Sequence, residues 1–255
     1  MLFVDLNCDL GESFGLFKIG NDSEVLKHIT SANIACGYHA GDHNVMMETV
    51  KMAEAHGVRI GAHPGFPDLH GFGRREMKLS AEEIYNLTVY QIGALSAATK
   101  ACGTKVVHVK PHGALYNMAA KDKSIADAVA CAVADVNPAL VLFGLAGSSL
   151  VKAGKEHGLQ VAEEVFADRT YQPDGSLTPR SHTNAIIHDP EIAINRVIRM
   201  VREGRVEAVD GTDIEIKADT ICIHGDEPRV LDFAVKLNEA LKAEGIEVGR
   251  GWDSL

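Results

Sequence analysis

Residues 100–113 read KACGTKVVHVKPHG. They hold one complete unit: a helix ending at Gly103, a β-branched run over 105–110, and a polar stop at Lys110-Pro111-His112-Gly113. Glycine suits a helix end because it takes the left-handed conformation without a Cβ clash. The unit recurs. EAHG at 54–57 runs into VRIGAHPG at 58–65, and KEHG at 155–158 runs into LQVAEEVFAD at 159–168. Further helix endings stand at REG (202–204) and AEG (243–245). Strand and helix alternating along a whole chain predict a parallel sheet.

Working outward, the pattern predicts strands over 3–8, 31–36, 59–63, 105–110, 139–145, 160–167 and 220–224. Helix starts are also legible. Ser80-Ala81-Glu82-Glu83 reads as a capping box, and Asp189-Pro190 as an N-cap with proline in the first turn. Apolar stripes follow at Ile194, Val197, Ile198 and Val201, and again at Val230, Ala234, Leu237 and Leu241. Seven strands with their helices predict an α/β chain forming a seven-stranded (β/α) barrel, one domain over 1–255. An open doubly wound sheet is the alternative, because periodicity does not encode closure. Two segments break the rhythm. Residues 168–188 are polar and turn-rich around Pro173-Asp174-Gly175, the mark of a functional loop. Residues 205–217 suggest a hairpin around Asp210-Gly211.

The composition narrows the function. Of 255 residues, 46% are hydrophobic but only 5% aromatic, which suits aliphatic packing of helices on parallel strands. The net charge is −10 and no Lys/Arg run interrupts it, which argues against nucleic acid or an anionic membrane as partners. A small anionic substrate remains compatible through local cations. Five cysteines without a C-x-x-C spacing argue for reduced thiols and a cytoplasmic location. The start, MLFVDLNCDLGE, has no basic region and makes a poor signal peptide. The apolar run from Ala139 to Val151 falls short of the ~20 residues that cross a bilayer.

Chemistry collects where strands should end, the face that carries barrel active sites. Asp5, Asn7 and Asp9 alternate, so they share one face, and Glu12 follows. Burying three such groups is costly unless they pair with one another, with cations or with a ligand. The second strand leads to His39, Asp42 and His43; Asp42 or His43 reads as a helix cap. The third leads to His63 in a proline-stiffened loop, then to Arg74 and Arg75, which suit a carboxylate or phosphate. A solvated turn explains Arg75 equally well. The fourth leads to Lys110 and His112, the sixth to Asp168 and Arg169, and the seventh to His224 and Asp226, the latter also readable as a cap. Cys8 and Cys36 lie close by; a catalytic thiol is open to either, though a small buried hydrophobe is the commoner fate. Gly144–Ser149 imitates a phosphate loop, but no G-x-x-x-x-G-K-[ST] exists.

DLNCDLGESFG (5–15), NIACGYHAGDH (33–43), GAHPGFPD (61–68), GFGRR (71–75), KPHGALYN (110–117), FADRTY (166–171) and HGD (224–226), in this order, resemble the LamB/YcsF family, the A subunits of ATP-hydrolysing 5-oxoprolinase. The resemblance implies a distorted seven-stranded (β/α) barrel of the glycoside hydrolase/deacetylase type. It implies cleavage of the lactam of 5-oxo-L-proline to L-glutamate, with ATP, carried with Mg2+, converted to ADP and phosphate, in company with subunits B and C. Taking residues and resemblance together, Lys110 with Arg74 is expected to hold the substrate carboxylate or a phosphate. Asp9 or Glu12, with His63 or His112, is expected to activate water or move protons. Asp168 and Arg169 are expected to position the long loop, and Asn7, His39 and His224 to bind substrate. A divalent metal on Asp9, His39 and His63 is a second arrangement. Two rival functions remain open. A stand-alone metal-dependent deacetylase or carbohydrate hydrolase needs no ATP, whereas a non-catalytic scaffold subunit has no need of so many His and Asp.

Overall fold

The computed structural model describes residues 2–223 and 230–249. Its elements follow the predicted rhythm: β1 (Leu2–Leu10), α1 (Asp22–Val25), β2 (Ser31–Ala35), α2 (His43–Ala55), β3 (Arg59–His63), α3 (Ala81–Ala101), β4 (Val106–Val109), α4 (Gly113–Lys121), α5 (Lys123–Val136), β5 (Val141–Leu145), α6 (Ser149–Glu156) and β6 (Val161–Phe166). Then come α7 (Pro190–Glu203), the strands β7 (Arg205–Glu207), β8 (Asp213–Glu215) and β9 (Thr220–Ile223), α8 (Val230–Ala243) and β10 (Ile246–Val248). All seven predicted strands are present. The predicted hairpin is the antiparallel pair β7–β8.

Closure is decided by register. The parallel order runs β1-β2-β3-β4-β5-β6-β9, and β9 returns to β1. Thr220 stands opposite Glu164 of β6 on one side and Asp5 of β1 on the other. The sheet is therefore a seven-stranded barrel, and the open alternative falls. The short β10 extends the pairing of β1 at Leu2–Val4; three residues after a helix end are too few to read as a strand.

The local signals act as expected. Ser80 accepts from the Glu83 amide while the Glu83 carboxylate returns to Ser80. Asp189 accepts from Glu191 and Ile192, and Gly204 ends α7 at φ 64°. In α7 Ile194 and Val197 are buried, and Ile198 and Val201 pack half-buried against the core. In α8 Ala234, Leu237 and Leu241 are buried, whereas the side chain of Val230 lies outside the described residues, as do His224 and Asp226. No described helix is long and apolar enough to cross a membrane.

Strand alternation sorts β1 in two. Val4, Leu6, Cys8 and Leu10 join the main apolar core. Asp5, Asn7 and Asp9 turn into the barrel, whose interior is largely polar. At the lower end Asp5 Oδ1 accepts from Thr30 (2.6 Å), Ser31 (2.7 Å) and Arg59 (3.1 Å), and Oδ2 accepts from Thr220 (2.6 Å). One carboxylate thus ties four segments. Above it His108 Nε2 donates to Asn33 Oδ1 at 2.8 Å, and the ring stacks on Phe143. Gly61 faces that ring so closely that a Cβ would collide with it. Burying these groups is tolerable because they satisfy one another.

The lower clasp generates a prediction. Asp5→Ala leaves Arg59 and three hydroxyls without their acceptor, so urea denaturation is expected to reveal a loss on the order of 3 kcal/mol. A midpoint equal to that of the wild type would show that the clasp contributes nothing.

Candidate active site

The floor of the barrel mouth is built around one buried cation. Lys110 lies just past β4, on the same alternation as His108, so its stem runs up the interior. Its ammonium contacts Asp9 Oδ1 (3.0 Å), Glu164 Oε1 (2.9 Å), Asn7 Oδ1 (3.1 Å) and Cys222 Sγ (3.0 Å). Burial works against this charge, but Asp9, Cys222 and Glu164 hold its pKa well above the ordinary lysine value. Glu164 is wholly buried and also accepts from Tyr116 Oη (2.6 Å) and Asn7 Nδ2 (2.9 Å). Asn33 completes the layer by donating to Asn7 and Asp9, each at 2.8 Å. Of these groups Asp9 alone keeps partial exposure, 13% of its side chain.

Beside Asp9 stand four further groups. His63 Nε2 lies 3.3 Å from Asp9 Oδ2 and 2.9 Å from His112 Nδ1. His39 stacks on His112, with ring centroids 3.7 Å apart and planes within 5°. Glu12 Oε1 is 3.2 Å from His39 Nε2 and 3.8 Å from His112 Nδ1. One ligand atom from each of Glu12, His39, His63 and His112 falls within 4.8 Å of the others, so the cluster could hold a metal ion. Burial draws the His39 pKa well below the imidazole value, with His112 and His63 adding to it. Burial likewise draws His112 down to about 3.

The loops hold these rings rigidly. Phe72 has φ 53°, the only positive φ of a described non-glycine residue. That conformation is costly for a bulky side chain and marks a site under constraint. In it the Phe72 carbonyl accepts from His112 Nε2 at 2.8 Å, while its ring meets His39 and His112 edge-on. Gly73 lies so near the His112 ring and the Cβ of His39 that a Cβ of its own would press on each.

Above the floor opens a cleft of about 400 Å³, within the usual range for small-molecule sites. Asp9, His63, Lys110 and His112 line its base, and Arg74, Lys121, Arg169 and Arg180 stand around it. Four cations thus stand at this mouth, with Glu76 among them, in a chain of net charge −10.

Several expectations need correction. Lys110 does not offer its ammonium to a ligand carboxylate, because barrel partners occupy its donors. Asn7, Glu12 and His39 do not line the cleft; they lie buried below or behind its floor. The four-group cluster contains Glu12 and His112 where Asp9 was expected, since Lys110 and Asn33 draw Asp9 Oδ1 away. Asp168 stands half-buried at the base of the long loop and Phe166 and Arg169 line the cleft instead, because β6 ends at Phe166 and alternation stops there. Arg169 lines the cleft but also braces the loop, donating to the carbonyls of Thr178 (2.6 Å) and Ala185 (3.3 Å). Arg75 pairs with Asp68 at the surface, and Asp42 caps α2. Cys8 and Cys36 are buried thiols whose pKa burial raises, Cys36 to about 12.

A family model described as the LamB/YcsF family matches residues 4–252. The chain belongs to the LamB/YcsF family. A curated relative from Oceanobacillus iheyensis, named as the A subunit of 5-oxoprolinase, is 64% identical over 96% of this chain and 95% of its own. One of the same name from Bacillus subtilis is 61% identical over 97% and 96%. The crystal structure of a lactam utilization protein from Thermus thermophilus superposes with a TM-score of 0.92 at 50% identity, covering 97% of this chain and 99% of that one.

For this member of the LamB/YcsF family the sequence reading missed Glu164, Tyr116, His108 and Arg180. Glu163-Glu164 passes for a solvated pair, yet both are buried; Glu163, on the other face of β6 from Glu164, accepts from Lys155 (3.0 Å) and the Gly147 amide (2.9 Å). Counting back in twos from Lys110 would have found His108. Arg180 sits in the loop already marked by its length.

The buried cation yields a paired prediction. Lys110→Met strands Asp9 and Glu164 as like charges and should cost about 3–5 kcal/mol in urea denaturation. Adding Glu164→Gln should recover part of that loss, because the two sites share one interaction. Strict additivity of the two single changes would show that no charge pair exists.

Proposed function

We propose that this chain opens the lactam of 5-oxo-L-proline, as the catalytic subunit of an ATP-dependent 5-oxoprolinase that also contains subunits B and C. The observation that carries the reading is Asp9. It is a carboxylate beside the buried Lys110 ammonium, partly exposed at the base of a cation-ringed cleft. The names of the relatives, which speak of 5-oxoprolinase and of lactam utilization, point to the same substrate class.

The substrate is a five-membered amide carrying one carboxylate. Arg74 and Arg180 at the cleft wall suit that carboxylate, since guanidinium groups pair with it in a fork. The ring then lies over the floor with C5 toward Asp9. An amide resists water, and opening this ring runs uphill unless coupled. ATP, entering with Mg2+, supplies the coupling: the amide oxygen takes the γ-phosphoryl group and ADP leaves. Water then attacks C5 while Asp9 accepts its proton. The C5–N bond breaks, the nitrogen regains that proton as the α-amino group, and a second water releases phosphate from the acyl phosphate. Asp9 suits the base role because Lys110 and Asn33 fix Oδ1, while Oδ2 lies beside His63 at the base of the cleft. Arg169 holds the 168–188 loop as a wall over the reaction.

The test is glutamate release from 5-oxo-L-proline by the chain alone, then with B and C, with and without ATP. Release is expected only in the full mixture with ATP. Asp9→Asn should lower it by about 10²–10⁴-fold, the usual worth of a positioned base, with the three-subunit complex still assembled. Undiminished turnover by that variant would remove Asp9 from catalysis. Deacetylation of an acetylated sugar without ATP, and no glutamate from any mixture, would replace the reading altogether.

A further inference from the structure

We propose that Glu12, His39, His63 and His112 form a binding site for one divalent first-row transition-metal ion. The argument rests on where their hydrogens must be. His63 Nδ1 lies 2.7 Å from the Lys110 carbonyl oxygen, and His112 Nε2 lies 2.8 Å from the Phe72 carbonyl oxygen. A carbonyl only accepts, so each of these nitrogens carries a proton. In the neutral rings the other nitrogens, His63 Nε2 and His112 Nδ1, are therefore bare. These two face each other at 2.9 Å. Two lone pairs at that distance repel unless something positive lies between or beside them.

The neighbouring groups point the same way. Glu12 brings a buried carboxylate oxygen 3.8 Å from His112 Nδ1 and 3.2 Å from His39 Nε2. His39 is fully buried, and its Nδ1 has no hydrogen-bond partner among the described residues. Nitrogen and oxygen ligands sit about 2.0–2.2 Å from such ions, so neighbours in one shell lie about 3–3.5 Å apart. The separations of 2.9, 3.2 and 3.8 Å bracket that spacing.

The supports also fit. Metal-binding imidazoles usually donate their second N–H to a carbonyl or carboxylate, which fixes the tautomer. The Lys110 and Phe72 carbonyls do so for His63 and His112. The edge of Phe72 and its left-handed backbone hold His112 in place, while His39 stacks parallel on His112 and brings its lone pair onto a shared ion only by a turn of its ring. Three imidazoles with one carboxylate suit zinc, cobalt, nickel, iron or manganese far better than magnesium or calcium, which prefer all-oxygen shells. His63 and His112 also line the cleft, so an ion among the four groups lies against its floor, next to Asp9.

The competing arrangement is a proton on His63 Nε2, shared with His112 and balanced by Asp9. Metal analysis separates the two without reference to activity. The full-length chain is stripped with a chelator and titrated with Zn2+, and separately with Co2+, whose visible absorption reports its ligands. About one ion per chain is expected, with a higher melting temperature on loading and reversal by chelator. Glu12→Gln, nearly isosteric, should weaken Zn2+ binding by at least about tenfold, and His112→Asn should do the same. Circular dichroism verifies that each variant is folded, and either variant suffices if the other is not. Binding of neither ion at millimolar concentration would overturn the proposal, and so would affinity unchanged in a folded variant, which would place the ion elsewhere.

Discussion

A single ammonium group inside a closed barrel organises this molecule's upper half. Lys110 lies among two carboxylates, an amide and a thiol, all from strands that meet only because the barrel closes. Without closure, Glu164 of β6 and Asp9 of β1 would not share a counter-ion. Without the counter-ion, two buried carboxylates would repel across a space that excludes water. The cation therefore couples fold to site. It holds Asp9 Oδ1 from within, and the other oxygen remains toward His63.

Rigidity around that floor comes from the backbone. Proline follows His63 and Lys110, each at a strand end. Phe72 accepts an unfavourable φ and thereby places its carbonyl on His112. The glycine-rich 71–75 loop lies close over both His39 and His112, with the Gly73 carbonyl accepting from Ala114 at the start of α4 (2.9 Å). Such preorganisation costs folding energy and leaves less to be ordered when a ligand enters. The walls differ in kind. Arg74 and Arg180 are exposed, whereas Arg169 is buried and tied to its own loop, with burial drawing its pKa down to about 10.

Much of this was legible because strand ends in a barrel converge. The recurring Gly–strand–polar unit located all seven barrel strands, and the histidines at their ends did meet: His39, His63 and His112 stand in contact. What escaped depends on distances across the interior. Glu164 looks solvated beside Glu163 until the strand is rolled into a barrel. Glu12 lies beyond the end of β1, where alternation no longer predicts direction, and it reaches the histidines while Asp9 turns to Lys110. Alternation is a sound guide within a strand and still places Lys110 one residue past β4, but it no longer places Glu12, two residues past β1.

The central claim is that the cation-ringed mouth above Asp9 receives a small anionic lactam. A crystal structure of the chain soaked with 5-oxo-L-proline tests it most directly. The account predicts the ring over the floor, with C5 nearest Asp9 and the carboxylate against Arg74 or Arg180. An ordered ring bound anywhere else, or an empty cleft at saturating ligand, would contradict it.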